Sequence, residues 1–189
     1  MKHILLFAAT ILAVVLPCVS RAQEVVPVHL TRLEAFEATT GRVVVKGTED
    51  LGTVTGKNGL TIVKIQEFRD VIGNQRESGL VITVRQSEQL EDSTTVDYDE
   101  LDPLLKAIDY ISKADPNVTS LNHFEAFFTT KAGLRVASYI SRRTSTVEAS
   151  ITSQRVNRSK TWINQTQLAE FRILLEQAKA KLDALRSGK

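Results

Sequence analysis

The sequence predicts an α+β fold: an antiparallel sheet built from two tandem strand-strand-strand-strand-helix units, with both helices packed on the sheet. Three observations predict it. Most of the chain after Gly41 consists of short runs in which apolar and polar residues alternate, the period of a strand with one buried face. Two stretches, TVDYDELDPLLKAIDYI from Thr95 to Ile111 and TWINQTQLAEFRILLEQA from Thr161 to Ala178, both pass from that period to the three-and-four spacing of an amphipathic helix. Sliding the first half by 67 positions lays one ending on the other without a gap.

The elements follow in chain order. After an extended piece, EVVPVHL, the segment LTRLEAFEATTG has a brief helical spacing at Leu30, Leu33 and Phe36, stopped by Gly41. RVVVKG opens the strand region. Asn58-Gly59, within GKNG, predicts a hairpin turn before LTIVKIQEF, because both residues tolerate positive φ. The loop GNQRESG then delivers LVITVRQS, whose Leu80, Ile82 and Val84 alternate with polar positions. A polar connection, a short strand at Thr94 to Val96 and a helix to about Lys113 complete the first unit, with Leu101, Leu104, Ile108 and Ile111 on one stripe.

The second unit runs HFEAFFTT, GLRVASYIS, STVEASITS and KTWI, then a helix from about Thr166 to Leu185 carrying Leu168, Phe171, Leu175, Ala178, Leu182 and Leu185. In the shifted alignment Leu80, Ile82 and Val84 fall on Val147, Ala149 and Ile151, and Val96 falls on Ile163. Asp97 with Glu100 and Asn164 with Gln167 both have the spacing of a capping box. Pro103 would clash inside a helix begun at Asp97, at a cost of about 3 kcal/mol, so the first helix is expected to start later than the second. The expected organisation is a leader over residues 1–22 and a single α+β domain over 23–189, with pseudo-repeat halves at about 41–113 and 123–186.

MKHILLFAATILAVVLPCVSRAQ has a cationic tip at Lys2, an apolar run from Ile4 to Leu16, and the small residues Ser20 and Ala22 before a cut at Gln23. That is the form of a secretory signal, and the run is shorter than the roughly 20 residues a membrane span requires. The expectation is a secreted or periplasmic protein with no membrane span after cleavage. Pro17 before Cys18 is a poor fit to lipid attachment. Removal of residues 1–22 takes away Lys2, Arg21 and no acid, so of 24 basic and 22 acidic residues the remainder keeps equal numbers. It also removes the only Cys, which excludes a disulfide scaffold, a thiolate nucleophile and a thiolate metal ligand.

Catalytic signals are sparse. Glu88, Glu91, Asp92, Asp97, Asp99, Glu100 and Asp102 form the densest charge feature, but they lack the glycine and glutamate of a calcium loop and suit helix starts. His29 and His123 form no HExxH or His-x-His pattern, and no GxSxG elbow accompanies His123 and Glu125. GTVTGKNG has the wrong glycine spacing for a phosphate loop. No catalytic residue, cofactor or metal is expected. The chain between 131 and 160 is basic, with Lys131, Arg135, Arg142, Arg143, Arg155, Arg158 and Lys160 against Glu148. With Tyr139 and Trp162 nearby, the expected ligand or partner face is Arg135, Tyr139, Arg142, Arg143 and Trp162.

In its topology alone the tandem four-strand-plus-helix pattern resembles single-stranded-DNA-binding regulators of the Whirly and PC4-like type. Taken with the leader, GTEDLGTVTG, ESGLVITV, YDELDPLLKAIDYI and QLAEFRILLEQAKAKL, the chain resembles a group of exported bacterial proteins of unknown function. That resemblance implies localisation and fold and no activity. The expected function is an exported, non-catalytic module that binds a small molecule or an exported protein, as a monomer or homodimer. The alternatives are an enzyme or a lipid- or carbohydrate-handling protein with a pocket not visible in sequence, and single-stranded nucleic-acid binding through the basic 131–160 face. Export and neutral charge disfavour the last.

Overall fold

The computed structural model describes residues 30–141 and 146–188. The expected leader, the extended piece EVVPVHL up to His29, Arg142 and Arg143 lie outside the described residues. In chain order come α1 (Arg32–Glu37), β1 (Val44–Gly56), β2 (Gly59–Asp70), β3 (Arg76–Ser87), β4 (Leu90–Asp97) and α2 (Leu101–Ser112). Then follow β5 (His123–Thr129), β6 (Leu134–Ser141), β7 (Thr146–Ser153), β8 (Lys160–Ile163) and α3 (Gln165–Ser187). The protein is α+β, and its two units each contain four strands and a closing helix.

The β layer is divided into two four-stranded antiparallel sheets, ordered β1-β2-β3-β4 and β5-β6-β7-β8. Each helix crosses to the other unit's sheet. Helix α2 packs on β5 and β6, α3 packs mainly on β1 and β2 and also touches β3 and its own unit's β7, and the two helices lie side by side. One apolar core results, drawing Leu80, Ile82 and Val96 from the first sheet and Val136, Ala149 and Ile151 from the second. Between them sit Leu104 and Ile108 of α2 and Phe171 and Leu175 of α3, all fully buried. Each such side chain contributes about 1.5–3 kcal/mol by leaving water, so the shared core couples the two units.

Short-range chemistry fixes the helix starts. Asn164 caps α3: its Oδ1 accepts from Gln167 N at 2.9 Å, and Asn164 N donates to Gln167 Oε1 at 2.8 Å. On the first unit a 3-10 turn, Tyr98–Glu100, precedes α2, so Pro103 falls in the helix's first turn, where its missing N–H is not needed. The first helix therefore begins three residues later than the second in the shifted alignment. Helix α1 lies across the outer face of the first sheet. Thr31 and Glu34 form its capping box, Leu33 is buried, and Phe36 stacks on Phe68 with centroids 6.1 Å apart.

Candidate functional site: the outer face and β8 end of the second sheet

Alternation in β5–β8 sends one set of residues to the core and the other outward. The register arranges the outward set in rows across the sheet. Thr129, Arg135, Thr152 and Lys160 form the first row; Phe127, Ala137, Ser150 and Trp162 the second; Glu125, Tyr139 and Glu148 the third. Neither long helix covers this face, because both are held on the core side. The structure thus brings Arg135, Tyr139 and Trp162, expected from the sequence, to one surface.

Cations lie on the rings. The Arg135 guanidinium sits 3.6 Å from the Phe127 centroid and pairs with Glu125 at 2.9 Å. Lys160 Nζ lies 3.8 Å from the Trp162 centroid and 4.6 Å from that of Tyr139, and donates to the Tyr139 hydroxyl at 3.1 Å. Tyr139 and Trp162 meet at 5.2 Å and a tilt of 54°. A cation over a ring contributes about 0.5–1 kcal/mol where exposed and about 2 where desolvated. These side chains roof the small residues beneath them: Ala137 and Ser150 are buried, and the Ser150 hydroxyl has no hydrogen-bond partner among the described residues.

Beside Trp162 the sheet's end opens into a cleft of about 610 Å³, within the range of small-molecule sites. The tip of the β1–β2 hairpin forms one wall with Thr55, Gly56 and Lys57; Val147, Glu148 and Trp162 form another, and Asn164 and Gln167 close the α3 end. The hairpin is held to the free edge of β8. Lys57 N donates to Trp162 O at 2.7 Å, and the Asn58 amide bridges the strand, accepting from Trp162 N at 2.8 Å and donating to Lys160 O at 3.1 Å. Gly56 permits this approach: a Cβ there would lie 2.3 Å from Thr161 Cγ2 and 2.4 Å from Trp162 O. Gln167 ties the third wall down by donating its Nε2 to Thr55 O. Apolar surface at Trp162 and Val147 thus faces a base, Lys57, and an acid, Glu148.

Two further basic residues of the segment are directed elsewhere. Lys131 pairs with Asp97 and Asp99 at 3.6 Å, and Arg155 pairs with Glu34 at 2.6 Å. Lys131 and Arg155 therefore lie apart from the face that carries Arg135 and Lys160. The acidic segment is dispersed too. Asp92 Oδ2 accepts from Ser153 Oγ, Arg155 N and Val156 N, while Glu100 Oε1 accepts from Lys131 N at 2.8 Å. Asp97 forms the capping box with Glu100 and also accepts from Arg32 N and Leu33 N of α1. No group of three metal-binding side chains occurs among the described residues. His123 is exposed on β5, and its neighbour Glu125 is engaged by Arg135.

Lys57 and Asn58 escaped the sequence reading of the site, and Lys160 and Glu148 entered it only as members of the 131–160 segment. The Asn58-Gly59 turn was legible, but its docking on a strand 104 residues away leaves no local signal. No helix among the described residues is long and apolar enough to cross a membrane. No protein-family model, no curated protein and no solved structure matches this chain.

Proposed function

We propose that the protein is an exported, non-catalytic binding module whose ligand enters the cleft between the β1–β2 hairpin and the end of β7 and β8. The observation that carries this reading is the construction of the cleft. Three separate devices, the glycine at 56, the Asn58 bridge and the Gln167 tie, hold its walls at fixed spacing around the Trp162 ring. Preformed walls lower the ordering cost of binding. Lys57 and Glu148 supply charges of both signs beside an apolar surface. The ligand class that fits is a small zwitterion with an apolar part, such as an amino acid or short peptide. Export is supported by the leader-like start of the sequence. The doubled strand-helix order further supports descent of the two halves from one duplicated unit.

Trp162 is the only tryptophan of the chain, so intrinsic fluorescence reports on the cleft directly. Titration with free amino acids and dipeptides should give a saturable change in emission and a raised melting temperature. Neutral sugars should give neither. Glu148→Gln and Lys57→Met should each weaken the response at least tenfold. A panel of amino acids and dipeptides that leaves emission and melting temperature unchanged would sink this reading.

A further inference from the structure

Two sheets have four edges, and an uncovered edge strand invites another chain. Three are managed within the molecule. The edge of β8 carries the hairpin tip through Lys57 N and Asn58. The loop at 155–157 lies along β4, where Asn157 Nδ2 donates to Glu91 O at 2.9 Å. Strand β1 is interrupted by a bulge between Asp50 and Gly52, carries Lys46, and is tied to α3 by a Lys181–Glu49 ion pair. The fourth edge, β5, has none of these. HFEAFFT contains no lysine, proline or bulge, and its pairing with β6 is regular from His123 to Thr129. No other backbone bonds to it among the described residues.

The surroundings of that edge are apolar. Tyr110, Val118, Leu121 and Phe127 are 61%, 66%, 67% and 54% exposed. A groove of about 400 Å³ runs between α2 and β5, lined by Ala107, Tyr110, Ile111, Val118, Phe124 and Phe127. Exposed aromatic and aliphatic side chains next to unpaired strand groups form an aggregation hazard unless something covers them.

We propose that β5 pairs antiparallel with β5 of a second copy of this chain, about a two-fold axis passing through Ala126, joining the two second sheets into one eight-stranded sheet. The strand is complementary to itself in that register. Phe124 faces the second copy's Phe128 on the core side, which extends the apolar layer under both α2 helices. On the outer side Glu125 faces the second copy's Phe127, the ring on which Arg135 already rests at 3.6 Å. Each Glu125 thereby meets an arginine from each copy, and the closed two-fold contact leaves no β5 edge to recruit further chains.

Sedimentation of the protein should give twice the chain mass, and exposed Phe127→Lys should halve that mass with an unchanged circular dichroism spectrum. Glu125→Arg and Arg135→Glu should each dissociate the pair, and the double exchange should restore it. Residues on the axis face each other with Cα atoms about 4.5–5.5 Å apart, within reach of a disulfide. Ala126→Cys in a Cys18→Ser background should therefore cross-link on mild oxidation. A single-chain mass at the highest attainable concentration overturns the proposal, as does a dimer that survives Phe127→Lys and fails to cross-link at 126. A dimer that forms only after deletion of residues 23–29 also overturns it, by assigning the edge to that segment. The Trp162 cleft lies at the opposite edge of the sheet, so ligand titration of Phe127→Lys tests the binding reading separately.

Discussion

Asn58 and Trp162, 104 residues apart, are joined as two strand residues would be: the Trp162 amide donates to Asn58 Oδ1 at 2.8 Å, and the Asn58 amide returns a bond to Lys160 O at 3.1 Å. One side chain thus substitutes for a missing neighbouring strand. It closes the edge of the second sheet with the tip of the first, and it sets the width of the cleft next to Trp162.

Removing that side chain leaves a backbone N–H and a carbonyl without partners, each costing about 1–3 kcal/mol if water cannot replace the bond. Asn58→Ala should lower the urea midpoint accordingly and shift Trp162 emission to longer wavelength as the hairpin lifts. Gly56→Ala should have the larger effect on emission, because its Cβ would meet the Trp162 carbonyl oxygen at 2.4 Å. An Asn58→Ala protein with unaltered emission and midpoint would show that the bridge does not hold the hairpin.

The carboxylate of Asp92 is 5% exposed as a residue and receives three bonds on one oxygen, from Ser153 Oγ, Arg155 N and Val156 N. It anchors the loop between β7 and β8 to the first sheet. Hydrogen bonds to a charged group contribute about 1.5–3 kcal/mol net. Asp92→Ala should lower the melting temperature by roughly 4–10 °C for a protein of this size, and Asp92→Asn, which keeps one acceptor, by less. Differential scanning calorimetry of the three proteins checks the order.

Much of this arrangement was legible in the residues. Strand period exposed the alternation of β5 to β8, and with it the shared parity of Arg135 and Tyr139. The Asn164–Gln167 box was readable because both halves of it are local. The Asp97–Glu100 box was readable for the same reason, with Glu100 accepting from Asp97 N at 3.2 Å; what local spacing could not show is that the Asp97 carboxylate also accepts from an amide of α1, 65 residues upstream. Asp92, Thr94 and Val96 share one strand face, so period two already implied that Asp92 points inward; its charge obscured that reading. The division of the β layer and the exchange of helices between sheets had no sequence signal. An apolar stripe states that a helix will be covered, and Leu104 and Leu175 would fit either sheet.

Stability should fall at acid pH through carboxylates that the fold holds ionised. The Arg172 guanidinium across the α2–α3 contact holds Asp109 below its ordinary value, with bonds of 2.6 and 3.1 Å. A hydrogen bond from the Tyr98 hydroxyl does the same for Asp183, and the Gly73 N–H does so for Asp70. A carboxyl whose folded pKa is depressed contributes stability above its unfolded pKa and loses it as pH falls through the folded value. The urea midpoint should therefore be flat near neutrality and decline below about pH 4. Asp109→Asn should start lower at neutral pH and decline less steeply in acid. High salt should narrow the difference between the two proteins, because the pair is partly exposed.

The exchange of helices also determines how the molecule unfolds. Leu104 on α2 and Phe171 on α3 are fully buried in the same cluster, which contains residues of both sheets. Removing α3 from the first sheet strips the cover from Val63 and Leu80, although those strands precede it by more than half the described chain. Each unit alone therefore lacks most of the helical cover of its own sheet, and neither can retain a packed core when the other opens. Leu104→Ala should cost about 2–5 kcal/mol and Phe171→Ala about 3–5 kcal/mol. Both should shift one cooperative transition in which Trp162 emission and far-ultraviolet circular dichroism coincide. A variant in which Trp162 emission changes at lower urea than the circular dichroism would show that the second sheet opens by itself, and that the two units do not depend on each other's helices.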